Sequence, residues 1–217
     1  MCNTAVDSFL EEDGGMIMVT NIRMINRACT DDKQIKHFLE DAQTAFLGLV
    51  EQHMPYVIPL NYVYKDGSFY FHGANEGRKI DILATNQNAC ITVSENYGTM
   101  VDPIPAKTDT AYMSIIANGL VEIVTDLNEA TAAMQAMLDK YVADYYQAPL
   151  SKKHIDKYKS SLGSKTLVLK VKPTNLTAKE NKLNKQMLYY SGRVVTQDMS
   201  RKSTATAINP TNESRET

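Results

Sequence analysis

The sequence predicts a single α+β domain, built as an antiparallel β-barrel with flanking helices. Five or six short segments rich in β-branched and aromatic residues are separated by turns, and few helical segments lie among them, which favours a small barrel over a doubly wound parallel sheet. The length of 217 residues suits one domain with appendages. No Rossmann, P-loop or nucleophile-elbow glycine pattern occurs, so those nucleotide-binding and hydrolase classes are not supported.

Composition and charge restrict the possible partners. The net charge of −2 provides no electrostatic basis for binding nucleic acid or an anionic membrane. No apolar run approaches the length of a membrane span, and the N-terminus lacks the order of a signal peptide. The three cysteines, Cys2, Cys29 and Cys90, have no metal-ligand spacing. We therefore expect a cytoplasmic protein without a metal site.

The first predicted element is a helix that follows a flexible N-terminal extension at residues 1–20. Thr30 is predicted to cap this helix, and Asp31 and Asp32 face the positive end of its dipole. Apolar residues then recur at helical spacing, at Ile35, Phe38, Leu39 and Ala42. This pattern is typical of an amphipathic helix that packs on a core.

A hairpin is predicted next. Ala45–Val50 is a short apolar run, and residues 56–64 are dense in Tyr, Val and Ile, which strands prefer. Asp66 and Gly67 separate the second run from a further strand at Ser68–His72. Asp-Gly favours a two-residue turn because both central positions need positive φ, so we predict a tight hairpin here.

The later elements follow from the same signals. In order, the pattern predicts a helix at 77–86, a strand at 89–93, a loop at 97–110, a strand at 111–124 bent near Gly119, a capping box at Asp126 and Glu129 that opens a helix, a short helix at 151–159 and a strand at 166–171. Residues 182–217 are polar and are interpreted as a disordered tail, which leaves 21–181 as the folded domain.

Pro59 is the first candidate for function. It lies inside a predicted strand, where proline cannot donate to the ladder, and it is therefore typical of an edge strand or a bulge. An opened ladder at this point would also free neighbouring backbone groups for the polar rim of a planar ligand. The two interpretations are compatible.

A cationic helix start is the second candidate. Arg78 and Lys79 lie at a predicted helix N-terminus, where positive charge opposes the dipole unless an anion binds. Backbone N–H groups, a guanidinium and an ammonium together suit a phosphate. His72, followed by Gly73, precedes them; a lone histidine is more often structural, but its position here favours a function. A solvated basic patch is the alternative interpretation.

These motifs resemble the flavin-binding core of the pyridoxamine-phosphate-oxidase-like split barrels, and within them the Nim family of 5-nitroimidazole resistance proteins. The resemblance covers about residues 22–180 and rests on an ordered series of short motifs. They are Met24-Ile25-Asn26-Arg27, Tyr56–Tyr64 with its Pro-Leu-Asn-Tyr, Tyr70-Phe71-His72, Gly77–Asp81, Ala111–Gly119 and Leu176–Lys179.

The resemblance implies a split-barrel homodimer with FMN at the subunit interface. By position, four consecutive residues would line the isoalloxazine through backbone and side chain: Pro59, Leu60, Asn61 and Tyr62. The remaining site residues that the resemblance implies are His72 and Gly73 beside the flavin, Arg78 and Lys79 at its phosphate, and Ser114 near the cofactor. His72 is the candidate catalytic residue.

The leading functional hypothesis is an FMN-dependent reductase of small nitroaromatic, 5-nitroimidazole-like compounds. Oxidation of vitamin B6 is disfavoured, because true pyridoxamine-phosphate oxidases end in a tryptophan- and arginine-containing segment and this chain has no tryptophan. Two alternatives remain: a flavin-binding module without catalytic activity, and a haem-handling split barrel with His72 as an axial ligand. Resemblance of fold does not by itself decide among them.

Overall fold

The computed structural model describes residues 22–157, 159 and 163–199. The predicted N-terminal extension at residues 1–20 lies outside the described residues. The helices include α1 (Asp32–Asp41), α2 (Arg78–Leu83), α3 (Leu127–Tyr141) and α4 (Lys152–Lys157), with 3₁₀ turns at Ile25–Arg27 and Pro105–Lys107. The strands are β1 (Thr44–Glu51), β2 (Met54–Asn61), β3 (Val63–Lys65), β4 (Ser68–Ala74), β5 (Asn88–Met100), β6 (Asp109–Ile123) and β7 (Thr166–Asn181).

The seven strands form one antiparallel sheet in the order β2-β1-β5-β6-β7-β4-β3, which confirms the predicted antiparallel α+β class. A closed barrel was expected, but the sheet has two edges, β2 and β3, and among the described residues no strand pairing joins them. The chain passes from one edge strand to the other through the single residue Tyr62. Because two residues span less than about 7–8 Å, the two sheet edges must approach each other at this point.

The described residues divide into two compact units. The first unit takes its described residues from within 22–95 and 113–180, and the second from 96–112 and 181–199. In the second unit Leu188 forms a β-bridge with Met100, and Arg193 pairs with Asp198 at 2.8 Å. A disordered tail was predicted here, but its described residues make defined contacts. Residues 187–195 supply apolar and aromatic side chains among the polar ones. Residues 200–217 lie outside the described part of the chain.

The main core of the first unit lies on one face of the sheet. Along β1, Ala45, Leu47 and Leu49 are at most 1% exposed, whereas the intervening Phe46 is 43% exposed. This alternation follows from the two-residue period of a strand. Buried side chains of α1 and α2 join the same cluster, including Ile35, Leu39 and Ile82. The opposite face of β1 is therefore left partly apolar and exposed.

A smaller core lies between α3 and the β3-β4-β7 side of the sheet. Ala130, Ala133 and Met137 of α3 pack against Tyr70 and Val168. Asp126 caps the N-terminus of the helix, and its carboxylate accepts hydrogen bonds from the amides of residues 128 and 129 at 2.7 and 2.8 Å, as predicted. Glu129 does not complete the predicted capping box. Its carboxylate accepts instead from the Tyr70 hydroxyl and from Lys170 Nζ, and so ties α3 to the sheet.

Two local predictions have different outcomes. The hairpin between β3 and β4 is confirmed, with Asp66 at φ 49° and Gly67 at φ 73°, the two positive values that such a turn requires. The predicted cap of α1 is wrong by one residue. Asp31, rather than Thr30, caps α1, because its carboxylate accepts from the amides of Lys33 and Gln34. A carboxylate at this position also favours the positive end of the helix dipole.

Candidate functional site

The first part of the candidate site lies where β4 is joined to α2. His72 and Gly73 belong to β4, and Arg78 and Lys79 are the first two residues of α2. A short connection links the two elements and ends at Gly77, whose φ of 95° is readily adopted by glycine. His72 lies inside β4 opposite Val168, and not at the strand end as predicted. The structure thus brings these four predicted site residues into one region.

Lys79 folds back over β4. A Cβ atom at Gly73 would collide with the Nζ atom of Lys79, so glycine is what allows the ammonium to lie there. Burial lowers the pKa of Lys79. Among the described residues, no carboxylate lies within ion-pair distance of this ammonium. Because removing a charge from water without a partner is costly, an anionic ligand would stabilise this arrangement.

Arg78 is placed differently from its neighbour. Its Nε and Nη2 atoms donate to Oε2 of Glu51 at 3.0 and 2.7 Å, and its guanidinium lies 4.6 Å from the centre of the Tyr56 ring. The side chains of Arg78 and Glu51 are 56% and 43% exposed. A phosphate at Arg78 would therefore have to share the guanidinium with a carboxylate, whereas Lys79 has no such competitor among the described residues.

His72 contacts α3 and lies within the electrostatic influence of Lys79 of α2. Its Nδ1 atom lies 3.1 Å from Sδ of Met137. Desolvation lowers the pKa of His72, and the nearby positive charge of Lys79 lowers it further. The imidazole is therefore neutral at pH 7. With Nδ1 against the thioether, Nε2 is the ring atom that could exchange a proton with a ligand.

The second part of the candidate site is the open edge at β2. Pro59 lies opposite Phe46 in the β1–β2 ladder, and β2 is an edge strand, as the edge interpretation of this proline predicts. Proline has no N–H, so the ladder is best satisfied when the backbone groups of Pro59 and Asn61 face the open side and those of Leu60 face β1. This edge can therefore offer backbone donors and acceptors to a ligand.

The four residues predicted to line the isoalloxazine ring differ in their exposure to solvent. Pro59 and Asn61 are exposed, whereas Leu60 is half-buried and packs against the main core. Tyr62 is fully buried, and its hydroxyl donates to the Leu39 carbonyl at 2.7 Å. The Tyr62 ring thus belongs to the core and cannot line a ligand surface, although its backbone lies at the end of the edge.

An apolar groove runs along the outer face of β1, β2 and β5. It has a volume of about 540 Å³, and its lining includes Phe46, Val57, Cys90 and Leu120. Gly48 forms part of its floor, where an added Cβ would lie 3.1 Å from the Cys90 carbonyl oxygen. Since Phe46 is the ladder partner of Pro59, the groove adjoins the open edge.

Ser114 is on β6, between the buried Met113 and Ile115, so its side chain faces the outer side of the sheet. It does not line the groove. The strands β1 and β5 separate β6 from β2 in the sheet order. The structure therefore places Ser114 on the same face as Pro59 without bringing the two residues together.

Sequence reasoning missed several contacts of the site. No local motif indicated that Glu51 and Tyr56 would occupy the Arg78 guanidinium, or that Met137 would meet His72. The groove did have a signal. The run Ala45–Val50 has consecutive apolar residues, which is typical of a strand covered on both faces.

In residues 22–157, 159 and 163–199, no group of three or more His, Cys, Asp or Glu side chains is arranged to hold a metal ion. The helices of the same residues are all too short or too polar to cross a membrane.

Comparison with known proteins identifies several relatives. The family model described as pyridoxamine 5'-phosphate oxidase matches residues 31–180. A solved structure of a proposed 5-nitroimidazole antibiotic resistance protein from Bacteroides thetaiotaomicron is 26% identical, with a TM-score of 0.57, over 70% of this chain and 85% of that one. A search of curated protein sequences finds no match.

Two further structures share the fold at lower identity. The flavocytochrome Anf3 from Azotobacter vinelandii is 20% identical, with a TM-score of 0.62, over 75% of this chain and 72% of that one. An FAD- and haem-binding protein from Mycobacterium smegmatis is 16% identical, with a TM-score of 0.60, over 81% and 80%.

Proposed function

Since this chain belongs to the pyridoxamine 5'-phosphate oxidase family, we propose that it binds FMN and reduces small nitroaromatic compounds of the 5-nitroimidazole type. The observation that carries the proposal is the half-buried ammonium of Lys79, which lies over Gly73 without a carboxylate partner among the described residues. The choice of nitroaromatic substrates is supported by the likeness to the Bacteroides thetaiotaomicron protein.

The residues present fit the two ends of FMN. Lys79 would hold the phosphate, and Arg78 would assist only by sharing its guanidinium with Glu51. The open edge at Pro59 and Asn61 would meet the polar rim of the isoalloxazine, while the adjoining apolar groove would accept its ring face. A phosphate site at a cation that no described carboxylate pairs, together with a planar site of backbone and apolar surface, would suit this cofactor.

When bound, the flavin supplies the electron pair for reduction. The chain's own residues bind it, exclude water from one ring face and manage protons. We assign the proton-exchange role to Nε2 of His72, because the imidazole is neutral and its Nδ1 lies against Met137.

We further propose that a second copy of the chain covers the groove and completes the flavin site. The support is the exposure of large apolar side chains on this face: Phe46, Val50, Val57, Ile116 and Leu120 are 39–58% exposed. An apolar patch of this kind is typical of a protein–protein interface. Apolar sheet faces that pack together would also exclude water from the bound ring.

The test combines binding with turnover. Protein purified with added FMN should show flavin absorption, and after anaerobic chemical reduction it should be reoxidised faster by a 5-nitroimidazole than by buffer alone. Flavin binding without this difference would support a module without catalytic activity. A Soret band in place of flavin absorption would support the haem alternative. The absence of both bands would overturn the proposal.

A further inference from the structure

The break between the two edge strands contains one residue. β2 ends at Asn61 and β3 begins at Val63, so Tyr62 lies outside both ladders. A backbone N–H and a backbone C=O at such a break need partners from elsewhere, because buried unpaired polar groups are costly. How these two groups are satisfied determines how rigidly the end of β2 is held.

One side-chain hydroxyl meets both groups. The Tyr62 amide donates to the Tyr141 hydroxyl at 2.9 Å, and that hydroxyl also lies 3.0 Å from the Tyr62 carbonyl oxygen and 2.5 Å from the Gln43 carbonyl oxygen. A tyrosine hydroxyl has one hydrogen and two lone pairs. It can therefore accept from the amide while donating to one of the two carbonyls. Gln43 directly precedes β1, so this contact joins the beginning of β1 to the break.

The Tyr62 side chain is held from the same direction. Its hydroxyl donates to the Leu39 carbonyl, and Lys140 Nζ lies 3.9 Å from the centre of its ring. Lys140 also donates to the Ala42 carbonyl at 2.7 Å, just after the end of α1. The last two residues of α3 thus hold both the backbone and the ring of the break residue.

We propose that Tyr141 is a positioning residue for the flavin ring. Its hydroxyl fixes the β2–β3 break, and through it the backbone edge at Pro59 and Asn61 on which the isoalloxazine would rest. This inference depends on the proposed function. Tyr141 acts through Tyr62 and is not assigned a contact with the ligand.

The test replaces only the hydroxyl. Tyr141→Phe is compared with Tyr145→Phe, in which the altered side chain is 74% exposed. Affinities for FMN and for riboflavin are measured together with the melting temperature and the hydrogen exchange of the Tyr62 amide. We expect Tyr141→Phe to weaken the binding of FMN and of riboflavin by a similar factor, roughly tenfold. We also expect it to speed hydrogen exchange of the Tyr62 amide. Tyr145→Phe should match the wild type in every measurement.

The equal loss is the diagnostic result, because damage at the phosphate end would affect FMN alone. If Tyr141→Phe binds both flavins as tightly as Tyr145→Phe does, the positioning role is wrong even if exchange is faster. If the wild type binds neither flavin, the proposed function itself fails, and exchange of the Tyr62 amide still reports whether the hydroxyl holds the break. Should Tyr141→Phe not fold, Lys140→Met is the second variant. Lys140→Met should also weaken the binding of FMN and of riboflavin by a similar factor. If it does not, the inference is overturned.

Discussion

Arg78 and Lys79 are neighbours in the sequence with different electrostatic surroundings. The Arg78 guanidinium is paired with Glu51 and lies over Tyr56, whereas the half-buried Lys79 ammonium lies against Gly73. Solvent-exposed ion pairs contribute little to stability, but they do occupy the donor. Two residues that the sequence treats alike therefore make unequal candidates for a phosphate contact.

This difference gives a prediction for binding. Lys79→Met should weaken FMN binding by about one to two decades in Kd, since a charge-assisted hydrogen bond is worth about 1.5–3 kcal/mol. Arg78→Met should weaken it less, because Glu51 already shares that guanidinium. Titration with FMN and with riboflavin, which lacks the phosphate, measures both effects. Equal losses for the two variants, or a loss that riboflavin shares, would contradict the assignment.

The lowered pKa of His72 gives a separate prediction about the pH dependence of stability. The pKa of His72 lies below its usual 6.5 in the folded protein, so the unfolded chain takes up the proton first as the pH falls. Stability should decrease as the pH drops below about 6.5, until the folded-state pKa is passed. An NMR titration of the ring should place the pKa below 6.5. Lys79→Met should move it upward, and an unchanged value would show that the lysine charge does not reach the imidazole.

At the scale of the elements, local capping can be tested on α1. Asp31 accepts hydrogen bonds from two backbone amides, whereas the neighbouring Thr30 is not the cap. Asp31→Ala should lower the free energy of unfolding by about 1 kcal/mol, and Thr30→Ala should have little effect. Urea unfolding of both variants measures the difference. A larger loss for Thr30→Ala would restore the capping pattern predicted from the sequence.

The strands show the limits of local patterns at this scale. β5 and β7 extend well beyond the predicted strands at 89–93 and 166–171, reaching Met100 and Asn181. Beyond those predicted segments most side chains are polar, so hydrophobic alternation is too weak there to indicate a strand. Both strands lie beside β6 in the sheet order, so their extension is a tertiary effect on secondary structure.

At the scale of the whole molecule, the apolar outer face predicts self-association. Val57 is 58% exposed and lines the groove, whereas Val142 is 42% exposed and does not. Val57→Lys should shift the protein from a dimer towards its 24.2 kDa monomer and weaken flavin binding. Val142→Lys, with the same change of side chain, should do neither. Sedimentation analysis checks the mass, and a wild-type monomer that is saturated with flavin would contradict the shared site.

The sequence by itself determined the features that depend on adjacent residues. The Asp66-Gly67 hairpin, the edge position of Pro59 and the capping of α3 by Asp126 follow from backbone chemistry within a few residues. Only the tertiary structure decided that the Tyr62 ring is buried in the core and that the Arg78 guanidinium is paired with Glu51. The decisive partners lie far along the chain, since Glu51 is 27 residues from Arg78 and Tyr141 is 79 residues from Tyr62. Such contacts depend on the order of strands in the sheet, and no local pattern of side chains encodes that order.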